Sequence, residues 1–172
     1  PILVECLNGY RSKEKVPSNL SEFKTPIGVV ETVKKGVDVT VVSYGSTFNL
    51  CQIAAEQLEE QGVSVELIDV QTLMPFDINH DIVASLKKTN RIIFIDEDFP
   101  GGTTAFMMQQ VLHEQGGYNH LDSAPIALAG KEHRPAYGSD GDYFSKPSVE
   151  DIFDAIYAMM NEANPKDYPS IY

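Results

Sequence analysis

Three acidic residues in one short run, Asp96, Glu97 and Asp98, are the strongest candidates for chemistry in this sequence, and they stand just ahead of Gly101 and Gly102. Crowded carboxylates raise one another's pKa and offer oxygen ligands to a divalent cation, so the run could form an acid–base or metal site. Capping of a loop or contact with another subunit would use the same residues without catalysis. We favour these latter roles.

A second polar group, Gly45-Ser46-Thr47, follows a predicted buried strand and precedes a predicted helix. A helix N-terminus with hydroxyl groups can hold an anion. The group lacks the glycine spacing of dinucleotide-binding loops and the lysine of phosphate-binding loops, so capping of the helix by Ser46 or Thr47 is the better interpretation.

A third group lies in a late loop and combines cationic and aromatic residues: Lys131, His133, Arg134 and Tyr137. It could bind a phosphate or a carboxylate, but a surface loop that contacts another subunit explains it more simply. No Ser–His–Asp arrangement, zinc signature or nucleophilic cysteine is visible. We therefore predict no catalytic, cofactor-binding or metal-binding residue in this chain.

Composition narrows the class of protein. The 172 residues suit one domain, and the net charge of −12 argues against binding to nucleic acid or to an anionic membrane while leaving room for a basic protein partner. No apolar run approaches the ~18 residues of a membrane span.

Cys6 and Cys51 lie in separate apolar runs, which predicts two buried reduced thiols and a cytoplasmic protein. The sequence begins within an apolar run that predicts a strand, so we expect the chain to be a piece of a longer polypeptide.

Strand and helix patterns alternate along most of the chain, which predicts a three-layer α/β/α fold with a mostly parallel sheet of about five strands. Asp77 and Ser148 are the expected caps of the second and last helices, the latter with Asp151 in a capping box. Predicted strands cover residues 2–6, 28–33, 39–44, 63–70, 91–95 and 124–129, and a third helix covers residues 103–113. We divide the chain into a strand and linker (1–25), a domain (26–163) and a surface tail (164–172).

Several motifs in order identify a family resemblance. Residues 1–5 (PILVE) precede Gly9-Tyr10-Arg11, and they are followed by GVDVTVVSYG at 36–45, VELIDVQTLMPFD at 65–77 and PSVEDI at 147–152. Together they resemble the transketolase C-terminal domain superfamily and, within it, the beta chains of pyruvate and branched-chain 2-oxoacid dehydrogenases. Two features depart from that pattern. Gln71 stands where the family usually has Arg, and the loop at 131–145 keeps only Pro135 and Tyr137, which suggests a divergent branch in which alpha and beta chains could be fused.

The resemblance implies a C-terminal assembly domain of a thiamine-diphosphate-dependent dehydrogenase that oxidatively decarboxylates a 2-oxo acid and passes the acyl group to lipoyl. Thiamine diphosphate and Mg²⁺ would be bound by domains absent here, so the chain alone is expected to be inactive. Implied partners are the remaining domains or the alpha subunit, and the peripheral subunit-binding domain of the acyltransferase core, in a dimer or tetramer.

Two alternatives stay open at this point. One is the corresponding domain of a transketolase or a deoxyxylulose-phosphate synthase. The other is a stand-alone acidic binding or receiver-type module that would use Asp69 and Lys131. The candidate interface or anion-contact residues are Tyr10, Arg11, Ser46, Asp96, Glu97, Asp98, His133, Arg134 and Tyr137.

Overall fold

The computed structural model describes residues 2–13, 15–134, 137–138 and 141–171. Pro1 and Tyr172, the outer ends of the predicted linker and tail, lie outside these residues, as do Pro135 and Asp140 of the loop at 131–145. The strands are β1 (Glu31–Lys34), β2 (Val39–Ser43), β3 (Val65–Asp69), β4 (Ile92–Ile95) and β5 (Ile126–Leu128). The α-helices are α1 (Gly45–Glu60), α2 (Asp81–Thr89), α3 (Thr103–Met108), α4 (Gly141–Ser145) and α5 (Val149–Ala163). Short 3₁₀ helices cover Leu7–Arg11 and Gly117–His120, and a π-helix covers Gln109–Glu114.

One five-stranded sheet organises the domain, in the order β1-β3-β2-β4-β5. The edge strand β1 runs antiparallel to β3, whereas β2, β3, β4 and β5 pair in parallel. Helices α1 and α5 pack on one face and α2, α3 and the π-helix on the other, each over its own apolar cluster. The predicted three-layer α/β/α fold is confirmed.

Burial explains why the central strands were recognisable. Every residue of β2 and β4 is buried, and β3 is buried except at Asp69. Strands covered on both faces read as continuous apolar runs, and each fully buried Val, Leu or Ile contributes about 1.5–3 kcal/mol to folding. These runs lie within two residues of their predicted positions.

The strand predicted at residues 2–6 is wrong. These residues have no regular secondary structure, and Ile2, Leu3 and Val4 are each more than 80% exposed. An isolated apolar run makes a strand only when a neighbour pairs with it, and none of the described strands does so. The prediction of two buried thiols is wrong for the same reason: Cys51 is buried in α1, but Cys6 is exposed beside this unpaired segment.

Helix starts show where sequence signals were read correctly. Asp77 caps α2 as predicted, since its carboxylate oxygens accept from the backbone N–H groups of Asp81 (2.9 Å) and Ile82 (3.0 Å), although the helix begins four residues after Asp77. Ser148 and Asp151 form the predicted capping box of α5. The cap predicted for α1 is wrong, because this helix begins at Gly45 and its N-cap residue Tyr44 makes no side-chain capping bond.

A buried polar network joins the start of the sheet to α2. The Glu66 side chain is almost completely buried, and its carboxylate accepts hydrogen bonds from Ser85 Oγ and Lys88 Nζ. The hydroxyl groups of Thr40, Ser85 and Thr89 continue the network at 2.7 Å each. Burial by itself would raise the pKa of Glu66, but the bonds from Lys88, Ser85 and the Gly36 N–H together lower it.

We predict that Lys88→Met lowers the free energy of unfolding by about 1–2 kcal/mol, because it leaves the buried Glu66 carboxylate without its cation. The neighbouring exposed Lys87→Met is the matched control and should change stability by less than about 0.5 kcal/mol. Urea unfolding at neutral pH measures both. Equal effects of the two substitutions would contradict a special role for the Glu66–Lys88 pair.

Candidate functional site at the carboxyl edge of the sheet

The carboxyl ends of β2 and β4 place Tyr44 and Asp96 side by side. The two strands are parallel neighbours with Val42 opposite Phe94, so the residues that follow them emerge at the same edge. Tyr44 Oη donates to Asp96 Oδ2 at 2.7 Å, and the backbone N–H of Glu97 donates to Asp96 Oδ1 at 2.8 Å. Asp96 is only 4% exposed, so both carboxylate oxygens are satisfied inside the protein.

Burial dominates the electrostatics of this pair. It raises the pKa of Asp96, the bonds from Tyr44 and the Glu97 N–H lower it in part, and the nearby charges of Asp98 and Glu97 raise it again. Burial raises the pKa of the Tyr44 hydroxyl as well, and the Asp96 charge adds to that rise. The net effect is an acid that holds its proton more tightly in the folded protein than in the unfolded chain.

The other two acids of the run have partners of their own. Glu97 is exposed and forms an ion pair with Lys146 at 3.0 Å. Asp98 Oδ1 accepts from the backbone N–H of Phe99 at 2.8 Å. A Cβ at position 102 would lie 2.3 Å from Asp98 Oδ2, so the Asp98 side chain would have to move if Gly102 were replaced. In the part of the chain that the structure describes, no three His, Cys, Asp or Glu side chains lie close enough together to hold a metal ion.

The loop after β5 is fixed against this acidic turn. Gly130 N donates to the backbone oxygen of Asp98 at 2.7 Å, and a Cβ on Gly130 would lie 2.5 Å from the Glu97 oxygen, so only glycine fits. Lys131 N donates to the backbone oxygen of Ser145 at 2.8 Å. The structure therefore brings Lys131, the first residue of the predicted cationic group, to the edge of the sheet where residues 96–98 lie.

The remaining predicted residues lie elsewhere. Ser46 is half-buried at the second position of α1. Tyr10 and Arg11 are exposed in the first 3₁₀ helix, where the Tyr10 hydroxyl donates to Glu5. No hydrogen bond or ion pair among the described residues joins these three to the acidic turn. Tyr44 and Lys146 were missed by sequence reasoning; only the position of Tyr44 directly after a buried strand could have signalled it.

Gln71, at the position where the resemblance predicts Arg, bonds to two acidic residues of the sheet. Its Nε2 donates to Glu31 Oε2 at 2.8 Å, and its N–H donates to Asp69 Oδ1 at 3.2 Å. A bond from the uncharged Gln71 amide to the Glu31 carboxylate thus ties β1 to the residues that follow β3. Gln71 adopts φ 57°, a left-handed conformation that is uncommon outside glycine.

Comparison with known proteins identifies the family. The model of the transketolase C-terminal domain matches residues 28–151. The chain belongs to this family. The pyruvate dehydrogenase E1 component subunit beta of Rhizobium meliloti is 31% identical over 150 residues, which are 87% of this chain and 32% of the relative. The mitochondrial subunit beta-1 of Arabidopsis thaliana is 32% identical over 77% of this chain and 36% of its own length.

The chain thus spans about a third of the length of the curated relatives it matches. A split-gene transketolase, solved as an inactive β4 tetramer, superposes with a TM-score of 0.63 at 20% identity, over 80% of this chain and 44% of that one, which supports the fold alone. Family membership replaces the alternative of a receiver-type module. None of the helices in the described ranges is long and apolar enough to cross a membrane.

We predict that the free energy of unfolding of an Asp96→Asn variant depends on pH differently from that of the wild-type protein. Because the folded protein raises the pKa of Asp96, it binds the proton more tightly than the unfolded chain does. The wild-type protein should therefore lose stability relative to the variant as pH rises from about 3.9, the unfolded pKa, through the raised folded value.

Urea unfolding at a series of pH values measures this difference. A difference between wild type and Asp96→Asn that stays constant with pH would show that the folded protein does not raise the pKa of Asp96.

Proposed function

We propose that this chain is the C-terminal assembly domain of a thiamine-diphosphate-dependent 2-oxoacid dehydrogenase, and that it makes subunit contacts while other domains carry out the chemistry. In the parent protein, a 2-oxo acid would be oxidatively decarboxylated and the acyl group transferred to lipoyl. Support comes from the beta subunits of pyruvate dehydrogenase that align with most of the chain. Transketolase itself is the second candidate, but its likeness to this chain concerns the fold only.

The observation that carries this proposal is the exposure of the N-terminal arm (residues 2–27). Nine large apolar side chains in it are between 58% and 94% exposed: Ile2, Leu3, Val4, Leu7, Tyr10, Val16, Leu20, Phe23 and Ile27. So much exposed apolar surface in one segment is typical of a protein–protein contact. In the proposed enzyme, the arm is covered by the preceding pyrimidine-binding domain or by the alpha subunit.

The residues at the carboxyl edge do not fit thiamine diphosphate with Mg²⁺. Both carboxylate oxygens of Asp96 already accept hydrogen bonds, from Tyr44 and the Glu97 N–H, Glu97 pairs with Lys146, and Asp98 adds a third carboxylate at this edge. Like charges at this edge would repel the diphosphate. In our proposal other domains of the parent enzyme hold the cofactor and its metal, and this chain contributes no catalytic residue.

A basic partner is the second part of the proposal. The arm contains four of the chain's 13 Lys and Arg residues but only three of its 25 Asp and Glu residues, so the acidic excess lies on the folded body. Helices α1 and α5 pack together and expose Glu56, Glu60, Glu150 and Glu162. This acidic surface would suit the basic peripheral subunit-binding domain of an acyltransferase core.

A cytoplasmic location stays a prediction, since the Arabidopsis relative is named as mitochondrial.

Substitution of the arm tests the assembly role. The double variant Leu20→Ser and Phe23→Ser should leave the free energy of unfolding of this chain within about 0.5 kcal/mol of wild type, because both side chains are already exposed. In the parent enzyme, the same variant should weaken association with the partner domains or subunits and reduce 2-oxo-acid-dependent reduction of an artificial electron acceptor.

Light scattering after size-exclusion chromatography and the acceptor assay are the measurements. Ile53→Ser is the control, since Ile53 is 46% exposed on α1 but lies outside the arm. A parent enzyme that assembles and turns over normally with the arm variant would refute the role of the arm.

Docking of the basic domain should depend on salt. We expect the dissociation constant to rise about tenfold between ~0.05 M and ~0.5 M NaCl, since screening weakens the attraction between the two charged surfaces. The double variant Glu56→Gln and Glu60→Gln should weaken binding at low salt, whereas Glu5→Gln with Glu22→Gln in the arm should not. Titration calorimetry measures both effects, and an affinity that ignores salt would rule out electrostatic docking.

A further inference from the structure

Three exposed apolar side chains meet where the arm joins the folded body. Ile27, Met74 and Ile78 are 72%, 80% and 55% exposed. Ile27 is the last residue of the arm, and the other two belong to the β3–α2 loop (residues 70–80). Single apolar residues are common on protein surfaces, but a contiguous group of them marks a contact.

The backbone at Gly28 joins the three side chains into one surface. Ile78 N donates to the backbone oxygen of Gly28 at 2.9 Å. A Cβ on Gly28 would lie 2.8 Å from Pro75 Cγ and 3.1 Å from Ile78 Cγ2, so the end of the arm lies directly against the loop. Ile27 and Met74 are the sequence neighbours of Gly28 and Pro75. We name Ile27, Met74 and Ile78 the junction patch.

The β3–α2 loop is held in one conformation by its own contacts. The backbone oxygen of Asp77 accepts from Gln115 Nε2 at 3.2 Å, and the Phe76 ring packs edge-on against Phe106 at 5.8 Å. Asp77 and His80 have φ values of 36° and 59°, a left-handed region that non-glycine residues keep only where the surrounding structure holds them. Such a loop loses little entropy when a partner binds to it.

The loop is poor in charge, although the chain as a whole is not. Charged residues make up 22% of the chain, but Asp77 is the only one between positions 70 and 79, and its side chain is buried. The centres of protein interfaces are depleted of charge and enriched in Met. The junction patch therefore suits an apolar surface better than a charged one.

The rings exposed after β5 contrast with the junction patch. Arg134 Cζ lies 4.8 Å from the centroid of the Tyr137 ring, and Lys131 Nζ lies 4.0 Å from that of Phe144. Exposed Glu132 stands between these two cations in the sequence. Charges of both signs thus surround those rings, which makes them less suited to an apolar partner.

We propose that the junction patch receives an apolar surface of the domain that the arm tethers to this chain. The identity of that domain, the one that precedes this chain in the parent enzyme, rests on the proposed function. A stable contact between free proteins takes about 20–30 residues from each side, far more than the patch offers. A tethered domain needs less, because the tether keeps its effective concentration near the patch at about the millimolar level. A second copy has no tether, and the net charge of −12 opposes it as well.

Met74 itself reports whether the patch is covered. All five methionines lie in the described ranges, and Met74 is the only exposed one, since Met107, Met159 and Met160 are buried and Met108 is partly buried. Hydrogen peroxide converts an accessible methionine to its sulfoxide, which mass spectrometry detects at each site. Met74 should be oxidised about tenfold more slowly in the full-length parent chain than in this chain, whereas Met107 should be oxidised slowly in both.

Substitution within the patch should remove this protection. Ile78→Ser should raise the oxidation rate of Met74 in the full-length chain toward the rate in this chain, and it should leave the rate in this chain unchanged. Val37→Ser is the matched control and should leave the protection intact, since Val37 is 59% exposed but lies between β1 and β2. Equal oxidation of Met74 in the two chains, or an equal loss of protection in the two variants, would overturn the proposal.

Other occupants of the patch give different results, and each would also overturn the proposal. Protection of Met74 in this chain that disappears on dilution would make a second copy the occupant. Protection of the full-length chain only after the alpha subunit is added would make that subunit the occupant. The oxidation assay needs no turnover, so its failure is distinct from that of the dehydrogenase proposal. A full-length chain that supports 2-oxo acid decarboxylation but leaves Met74 unprotected would refute the contact alone.

Discussion

Burial of the central parallel strands on both faces is the constraint on which the rest of the structure depends. Strand β2 has no exposed residue, so helices must cover it on both sides: α1 and α5 on one face, and α2, α3 and the π-helix on the other. Parallel pairing then brings the strand ends to a common edge. The contact between Tyr44 and Asp96 follows from this arrangement, since β2 and β4 are neighbours in the sheet although they are far apart in sequence.

The same constraint explains how much of the fold could be predicted. Continuous β-branched runs announced β2, β3 and β4, and Asp77 and Ser148 marked two helix starts by the chemistry of their side chains. The strand predicted at residues 2–6 is wrong because an apolar run forms a strand only when another strand pairs with it. The sequence of the run itself does not show whether such a neighbour exists. The π-helix at Gln109–Glu114 was read as an ordinary continuation of α3, since its apolar residues Val111 and Leu112 are buried much as those of an α-helix would be.

The candidate site was predictable by position but not by orientation. A strand was predicted at residues 91–95, so the sequence placed Asp96, Glu97 and Asp98 directly after a buried strand, where the structure has them. Whether they converge depends on the turn that follows β4 and on Lys146, whose pairing with Glu97 requires α4 to fold back over that turn. The spacing of residues in the sequence does not predict the ion pair between Lys146 and Glu97. It does not predict the hydrogen bond from Tyr44 to Asp96 either.

The carboxyl edge of an open parallel sheet is where ligands usually bind, and in this domain much of that edge is filled by the protein's own contacts. Gly130 donates to the backbone oxygen of Asp98, a Cβ on Gly130 would collide with the backbone oxygen of Glu97, and the Tyr44 hydroxyl donates to Asp96. An edge satisfied in this way has little capacity left for a small ligand. It can instead serve as a rigid base for the loop above it, whose exposed rings and cations face outward. In our proposal, contacts with other domains therefore fall on the exposed surfaces of this domain, chiefly the apolar arm and the acidic helices α1 and α5.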